Sequence, residues 1–285
     1  MSPVVYAVLD VGGTTIKVGA VRGTDVTTDS AVDARSTAPA PVVLRQLELA
    51  TSAALDCVRR EGGSPPAGLA IAFPGPFDLV HGRPLLVAPG KFANIHGIDL
   101  RTHLRSGNSI WASLPIEFVR DSEAVGVGEA RHGAGRRHQR VLTIALGTGV
   151  GAVLTQDATP VPRVGDIDIE SLFLQPTPEG IVDDALSARG LASTLGVAQR
   201  ELSKALDDPT PFSAQVDLFA NRLGDFLASL ARLEADVIVI AGGVARSFHL
   251  FQEVVAARLD IPVVAAELGA NAAMLGAVRL AFPTT

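Results

Sequence analysis

Cysteine is nearly absent: Cys57 stands alone among 285 residues. That excludes an intrachain disulfide and any zinc knuckle built from clustered thiols. Lysine and arginine do not gather. The nearest to a cluster is Arg136-Arg137-His138, in a chain of net charge −6, which is too little for a phosphate-backbone footprint, so nucleic acid is not an expected partner. No run of about 18 uncharged apolar residues occurs, so no membrane-spanning helix is expected. Met1-Ser2-Pro3 leads straight into Val4-Val5-Tyr6-Ala7-Val8-Leu9-Asp10. That start has no basic segment and meets an acid at position 10, which does not read as a signal peptide. A cytoplasmic protein without membrane contact is the expectation. His81, His96, His103, His132, His138 and His249 are scattered, with no His-x-x-x-His pair. There is no Gly-x-Ser-x-Gly elbow, and no glycine-rich segment ends in Gly-Lys-Ser/Thr.

Apolar material is plentiful: 47% of residues are hydrophobic and 19% charged. Disorder as the main state is excluded, and the length suits two lobes or one large domain. Periodicity reads as mixed α/β. Val4 to Leu9, Thr15 to Val21, Leu69 to Phe73, Pro115 to Val119, Val141 to Leu146, Gly151 to Thr155 and Val237 to Ala241 read as strands. Pro41 to Arg60, Ser122 to His132, Phe212 to Ala235 and Asn271 to Phe282 read as helices. Gly62-Gly63-Ser64-Pro65-Pro66 ends the first helix, and Gln156 to Pro178 reads as irregular. Cys57 falls inside the first helix and reads as packing; Glu129 and Arg131 read as a solvated helix face.

One pattern occurs twice. An apolar strand, a Gly/Thr turn and an apolar return strand appear at Val5–Val21 and again at Leu142–Leu154. Two halves of one plan and a coincidence of two hairpins both fit. In the first turn, Asp10-Val11-Gly12-Gly13-Thr14-Thr15-Ile16-Lys17, the glycines let backbone N–H groups approach an anion. Asp10 is placed for Mg²⁺, and Lys17 for Asp10 or for a phosphate; a plain hairpin turn with an exposed acid is the other reading. Gly147-Thr148-Gly149-Val150-Gly151-Ala152 matches the loose dinucleotide pattern but precedes a strand, where that fingerprint must open a helix. Ala241-Gly242-Gly243-Val244 ends a buried strand. Arg120-Asp121-Ser122-Glu123 joins a strand to a helix, and there Asp121 reads as a general base or as a helix cap.

In this order, these segments resemble the ROK family of bacterial sugar kinases, repressors and related open reading frames. Phe73-Pro74-Gly75-Pro76, Gly128-Glu129 and Asn271-Ala272-Ala273-Met274-Leu275-Gly276-Ala277 add to the likeness. The resemblance implies an α/β protein of the actin/hexokinase-type ATPase fold, with two ribonuclease-H-like lobes around a cleft. The lobes would be residues 1–118 with a closing helix at 271–285, and residues 119–270. It implies an ATP- and Mg²⁺-dependent carbohydrate kinase, with polyphosphate as the alternative donor that the sequence does not separate from ATP. Asp10, Gly12, Gly13, Thr14 and Lys17 would serve the first phosphate hairpin, with Asp10 toward the metal. Gly147, Thr148 and Gly149 would form the second hairpin, and Gly242 and Gly243 the adenosine-side turn. Asp121 would be the catalytic base. Gly75, Lys91, Asn94, Arg120, Asp121 and Asp166 would lie on the acceptor side. A homodimer is implied as well.

Three departures matter. The family writes Asn-Asp where this chain has Arg120-Asp121. Its Gly-Glu-Ile-Gly-His is replaced by Gly165-Asp166-Ile167-Asp168-Ile169-Glu170. Its cysteine triplet is missing, so no structural zinc is expected. Arginine has no acceptor and Ile169 cannot hydrogen-bond, so glucose is not the expected acceptor. An acylated or amino hexose, or a carbocyclic analogue, suits the change. The alternative is a regulatory protein that binds a sugar or nucleotide and has lost turnover. Retention of Asp10, both hairpins and Asp121 favours the enzyme, and with the phosphate motif opening at residue 10 a repressor's winged helix ahead of it is not expected.

Overall fold

The structure, a computed structural model, describes residues 4–62, 65–107 and 109–283. Met1-Ser2-Pro3, and Gly63 and Ser64 of the expected helix break, lie outside the described residues. The chain divides into two compact units, Met1–Ala124 with Ala270–Thr285, and Val125–Gly269. The division falls a few residues after the 118/119 boundary drawn from the sequence. The reason is that the strand ending at Arg120 pairs into the first sheet, and it takes Asp121 with it.

In the first unit the sheet strands are β1 (Tyr6–Val11), β2 (Thr15–Arg22), β3 (Asp25–Thr28), β4 (Leu69–Phe73) and β5 (Ile116–Arg120). They lie in the order β3-β2-β1-β4-β5, with Val32–Asp33 pairing at the edge of β2. β1 to β3 are antiparallel; β4 and β5 join parallel to β1. Every residue of β4 is buried, as expected of a central parallel strand covered on both faces. The helix Ala40–Arg60 carries proline in its first turn and two arginines in its last, which suits both ends of its dipole. Its buried residues Val43, Leu47, Ala50, Ala54, Cys57 and Val58 form one stripe. The closing helix Asn271–Ala281 packs on β1, β4 and β5 of this same unit. A Cβ on Gly19 would sit 2.9 Å from the Met274 sulfur, so glycine lets the helix come close.

The second unit repeats the plan. Its strands are β6 (Arg140–Leu146), β7 (Val150–Gln156), β8 (Thr159–Pro160), β9 (Val237–Ala241) and β10 (Val263–Ala265), in the order β8-β7-β6-β9-β10. Again three strands are antiparallel and two join in parallel. The recurring hairpin is therefore one shared topology and not a coincidence. Its core centres on Phe219, Phe248, Phe251 and the inner strands.

Four local readings are corrected. The helix expected over Phe212 to Ala235 runs Ser213–Ser229, then tightens into Ala231–Leu233, with Glu234 at φ 51°. The stretch from Gln156 to Pro178 contains short antiparallel pairs and a 3-10 segment, Ile169–Leu174. The helices Leu100–Gly107, Val182–Leu186 and Ala188–Leu195 were not read from the sequence at all. Glu129 is no solvated group: it is fully buried. Its carboxylate accepts the N–H groups of Ala134 (3.0 Å), Glu267 (3.1 Å) and Leu268 (2.9 Å), so its desolvation is offset by backbone donors.

Candidate active site

The first unit gathers its chemistry at the carboxyl ends of parallel strands, where open α/β sheets bind ligands. Asp10 on β1 aligns with Ala72 of β4, and Phe73 aligns with Arg120 of β5. The register therefore sets Asp10, the Pro74-Gly75-Pro76 loop and Arg120-Asp121 along one edge. Asp10 and Lys17 are cross-strand partners in the β1–β2 hairpin. Lys17 Nζ donates to Asp10 Oδ2 at 2.7 Å, which answers the choice left open for that lysine.

The hairpin turn is tight: the Gly12 N–H donates to the Thr15 carbonyl at 2.9 Å, and a Cβ on Gly12 would lie 2.9 Å from that same oxygen. Thr14 and Thr15 are exposed. Behind the turn, the Ser36 hydroxyl donates to the Gly13 carbonyl, and the Ala34 N–H donates to the Thr14 carbonyl at 2.9 Å. Over it lies Lys91. A Cβ on Gly13 would collide with its Cδ, Cε and Nζ.

Asp121 opens the helix Asp121–His132 and is half-buried. Its Oδ1 accepts the neighbouring Ser122 N–H at 2.8 Å, a bond to the adjacent residue and not to the second or third N–H of the helix, as a side-chain cap would make. Burial pushes the Asp121 carboxyl above the ordinary aspartate range. The Ser122 N–H opposes this, the Asp10 charge adds to it, and the Lys91 charge opposes it. Burial also raises Glu123, against the charge of Arg120. Asn94 is engaged elsewhere: its amide donates to the Thr37 and Ala38 carbonyls at 3.1 and 3.0 Å. Gly75 is exposed at the cis Gly75-Pro76 peptide.

The second unit brings Gly147, Thr148 and Gly149 beside Gly242 and Gly243, because β6 and β9 end together. Gly242 has φ 87°, and a Cβ on it would lie 2.5 Å from the Leu146 carbonyl oxygen, so only glycine fits both the angle and the space. The turn closes through a Gly147 N–H to Gly149 carbonyl bond of 2.9 Å. Two braces hold it. The Ala188 N–H donates to the Gly147 carbonyl at 2.8 Å. Asp183 Oδ1 accepts the Val150 N–H at 2.6 Å, while its Oδ2 accepts from Arg189 at 2.8 Å. Asp166 stands on an exposed turn of this unit, paired with Arg232 at 2.8 Å.

Ser36, Asp183 and Arg189 were missed in the sequence. No local motif marks them; they serve turns that lie 23 or more residues away along the chain. Among the described residues no three His, Cys, Asp or Glu side chains group as a metal cage, and no helix is long and apolar enough to cross a membrane.

A model of the ROK family matches residues 6–162, more than half of the chain. The bifunctional enzyme NanE/NanK of Brucella melitensis biotype 1 is 32% identical over 197 residues, covering 61% of this chain and 37% of that protein. The chain thus spans little more than a third of the length of the curated relatives it matches. Among solved structures, a ROK hexokinase from Thermus thermophilus shares 24% identity at a TM-score of 0.73, with 96% of each chain covered. A ROK family glucokinase from Streptomyces griseus in complex with glucose and AMPPNP shares 21% identity at a TM-score of 0.76, covering 97% of this chain and 98% of that one. The fold is that of the actin/hexokinase-type ATPases.

Proposed function

Because the chain belongs to the ROK family, we propose that it is a carbohydrate kinase, moving the terminal phosphoryl group of ATP to a hydroxyl of a sugar or sugar-like polyol. The observation that carries this reading is the edge of the first sheet. Register there aligns Asp10, the braced Gly12-Gly13 hairpin and the carboxylate of Asp121. Phosphoryl transfer asks a protein for positioning and charge neutralisation, and these groups supply both.

Asp121 takes the proton of the attacking hydroxyl. The Gly12 N–H closes the turn onto the Thr15 carbonyl, and the Gly13 N–H and the hydroxyls of Thr14 and Thr15 face donor phosphate. Within the second unit, Gly147, Thr148 and Gly149 form a backbone turn suited to phosphate, and Gly242 and Gly243 one suited to an adenosine ring. Mg²⁺ fits the donor set: an ion carried chiefly by phosphates and water needs one or two carboxylates, not a cage of three. Asp10 would hold it, with Lys17 fixing one of its oxygens, and the ion would neutralise phosphate charge. Arg120, Glu123 and Gly75 flank the base on the acceptor side. A cation and a second half-buried acid there favour an acylated or amino hexose, or a cyclitol, over glucose. The Asn94 amide nitrogen ties its loop to two carbonyls. The active form is a homodimer, and polyphosphate is a second donor to test.

The deciding experiment is a donor-by-acceptor screen, reading nucleotide release and product mass. ATP and polyphosphate are the donors; glucose, mannose, their N-acetylated 2-amino counterparts and inositol are the acceptors. Phosphorylation of one acceptor with Mg-ATP bears out the reading. Absence of turnover together with tight sugar or nucleotide binding supports the regulatory alternative. Glucose as the best acceptor overturns the specificity half.

A further inference from the structure

We propose that Lys91 is a catalytic cation on the donor side, its ammonium meeting the terminal phosphoryl group at the first hairpin. This rests on the kinase reading above and moves Lys91 from the acceptor side, where the sequence had put it. The first ground is position. The last three heavy atoms of the side chain lie within 2.6 Å of where a Gly13 Cβ would be, directly against the turn that carries the Gly13 N–H and the exposed Thr14 and Thr15. The second ground is charge. Lys17, the other cation of this hairpin, is neutralised by Asp10 at 2.7 Å. Among the described residues no carboxylate lies within ion-pair distance of Lys91, although its field reaches Asp121. The hairpin therefore keeps one uncommitted positive charge.

The third ground is the way the lysine is mounted. Phe92, the next residue, is fully buried in a left-handed conformation at φ 59°, which a bulky side chain adopts only where its surroundings dictate it. The Phe92 N–H donates to the Ser36 carbonyl at 2.7 Å, and the Ser36 hydroxyl donates to the Gly13 carbonyl. One buried serine thus fastens both the phosphate turn and the backbone beside Lys91. The Phe92 ring packs 5.0 Å from Phe73 at the end of β4, and Asn94 pins the same loop to Thr37 and Ala38. A surface lysine with no task needs no such mounting.

In the transfer, the bond between the terminal phosphorus and its bridging oxygen breaks, and the electron pair leaves with the diphosphate. The acceptor oxygen forms the new bond to phosphorus, and its proton passes to Asp121. Negative charge spreads over the three equatorial oxygens of the moving group. An ammonium aimed at them neutralises that charge without reorganising during the step.

The test compares wild type with Lys91→Met, Lys91→Arg and Gly13→Ala. Calorimetry measures AMPPNP and ADP binding, each with Mg²⁺, and kinetics use the best acceptor of the screen. Lys91→Met should weaken AMPPNP about tenfold or more, leave ADP within about twofold, lower kcat by about 10²-fold and leave the acceptor KM near wild type. Lys91→Arg should recover part of the loss. Gly13→Ala, whose methyl displaces the lysine stem, should reproduce the selective loss of AMPPNP. Unchanged AMPPNP affinity in Lys91→Met, or a defect confined to the acceptor KM, overturns the proposal and leaves the kinase reading standing. A wild-type protein that binds neither nucleotide overturns both.

Discussion

The two hairpins share a topology but not a chemistry. At the first turn, charged side chains do the work: Asp10 with Lys17, and Lys91 lying over Gly13. At the second, the turn itself carries no charge. Asp183 and the Ala188 N–H brace it through backbone bonds to Val150 and Gly147, and Arg189 is tied back to Asp183. Under the proposed kinase reading the difference is a division of labour: the first unit would hold the groups that meet moving charge, while the second would supply backbone turns for phosphate and adenosine. Substitutions in the first unit should therefore act on kcat and on triphosphate affinity, and those in the second on donor KM.

The largest effect should come from Asp121→Asn. Removal of a general base costs on the order of 10²–10⁴ in rate, while AMPPNP affinity should stay near wild type. Asparagine keeps the size of aspartate and an oxygen for the Ser122 N–H, so a folded, inactive protein assigns the loss to proton transfer. Turnover at the wild-type rate would remove Asp121 from the mechanism. Next in size is Asp10→Ala, which takes away the carboxylate proposed to hold Mg²⁺ and leaves Lys17 without its partner. Mg-ATP binding measured by calorimetry should weaken by about 10- to 100-fold, the scale of one charged interaction. Equal binding by both proteins would erase the contrast between the hairpins.

Smaller still should be Asp183→Asn in the second unit. One hydrogen bond to the Val150 N–H is weakened, and the turn loses part of its brace. Donor KM should rise about 2- to 10-fold with kcat held. Gly149→Ala should act in the same direction, because its Cβ would lie 2.7 Å from Asp183 Oδ1. A kcat defect in either variant, with donor KM unchanged, would mean that the second hairpin also meets moving charge.

Much of this was legible before any coordinates. Continuous apolar runs gave Leu69–Phe73 and Val237–Ala241 to the residue, because doubly covered strands leave no polar interruption. The Gly/Thr turns announced both hairpins, and backbone sterics at Gly12 and Gly242 show why glycine stands there. What stayed hidden was long-range. Glu129 reads as a helix-surface acid, yet it is buried because the Glu267 and Leu268 N–H groups arrive from far along the chain. Lys91 reads as an acceptor-loop residue. Only the left-handed Phe92 and the buried Ser36 turn it back over Gly13. Asp166, attractive by alignment to the family's sugar-binding segment, sits exposed on the second unit with Arg232.

The last contrast is one of stability against pH, and it belongs to Asp121. Burial raises its carboxyl above the ordinary value of 3.8. An acid whose folded pKa exceeds its unfolded one holds its proton longer in the native state. As pH climbs from 3.8 through the raised folded value, the unfolded chain releases the proton first, and stability falls across that window. Above it, the native protein carries a partly desolvated charge that the unfolded chain solvates freely. Asp121→Asn removes that charge and keeps the shape. Its melting temperature should therefore exceed that of wild type at neutral pH, by a few degrees at most, and the two should converge below the unfolded pKa. With Asp121 as the proposed base, the same ionisation should set the acid limb of kcat in wild type, and that limb should lie above the ordinary aspartate range. Melting curves of the two proteins measured from acid to neutral pH, beside the wild-type rate profile, decide it. If Asp121→Asn melts below wild type at neutral pH, the carboxylate is a stabilising group in the native state, and it is not the desolvated base of the proposed mechanism.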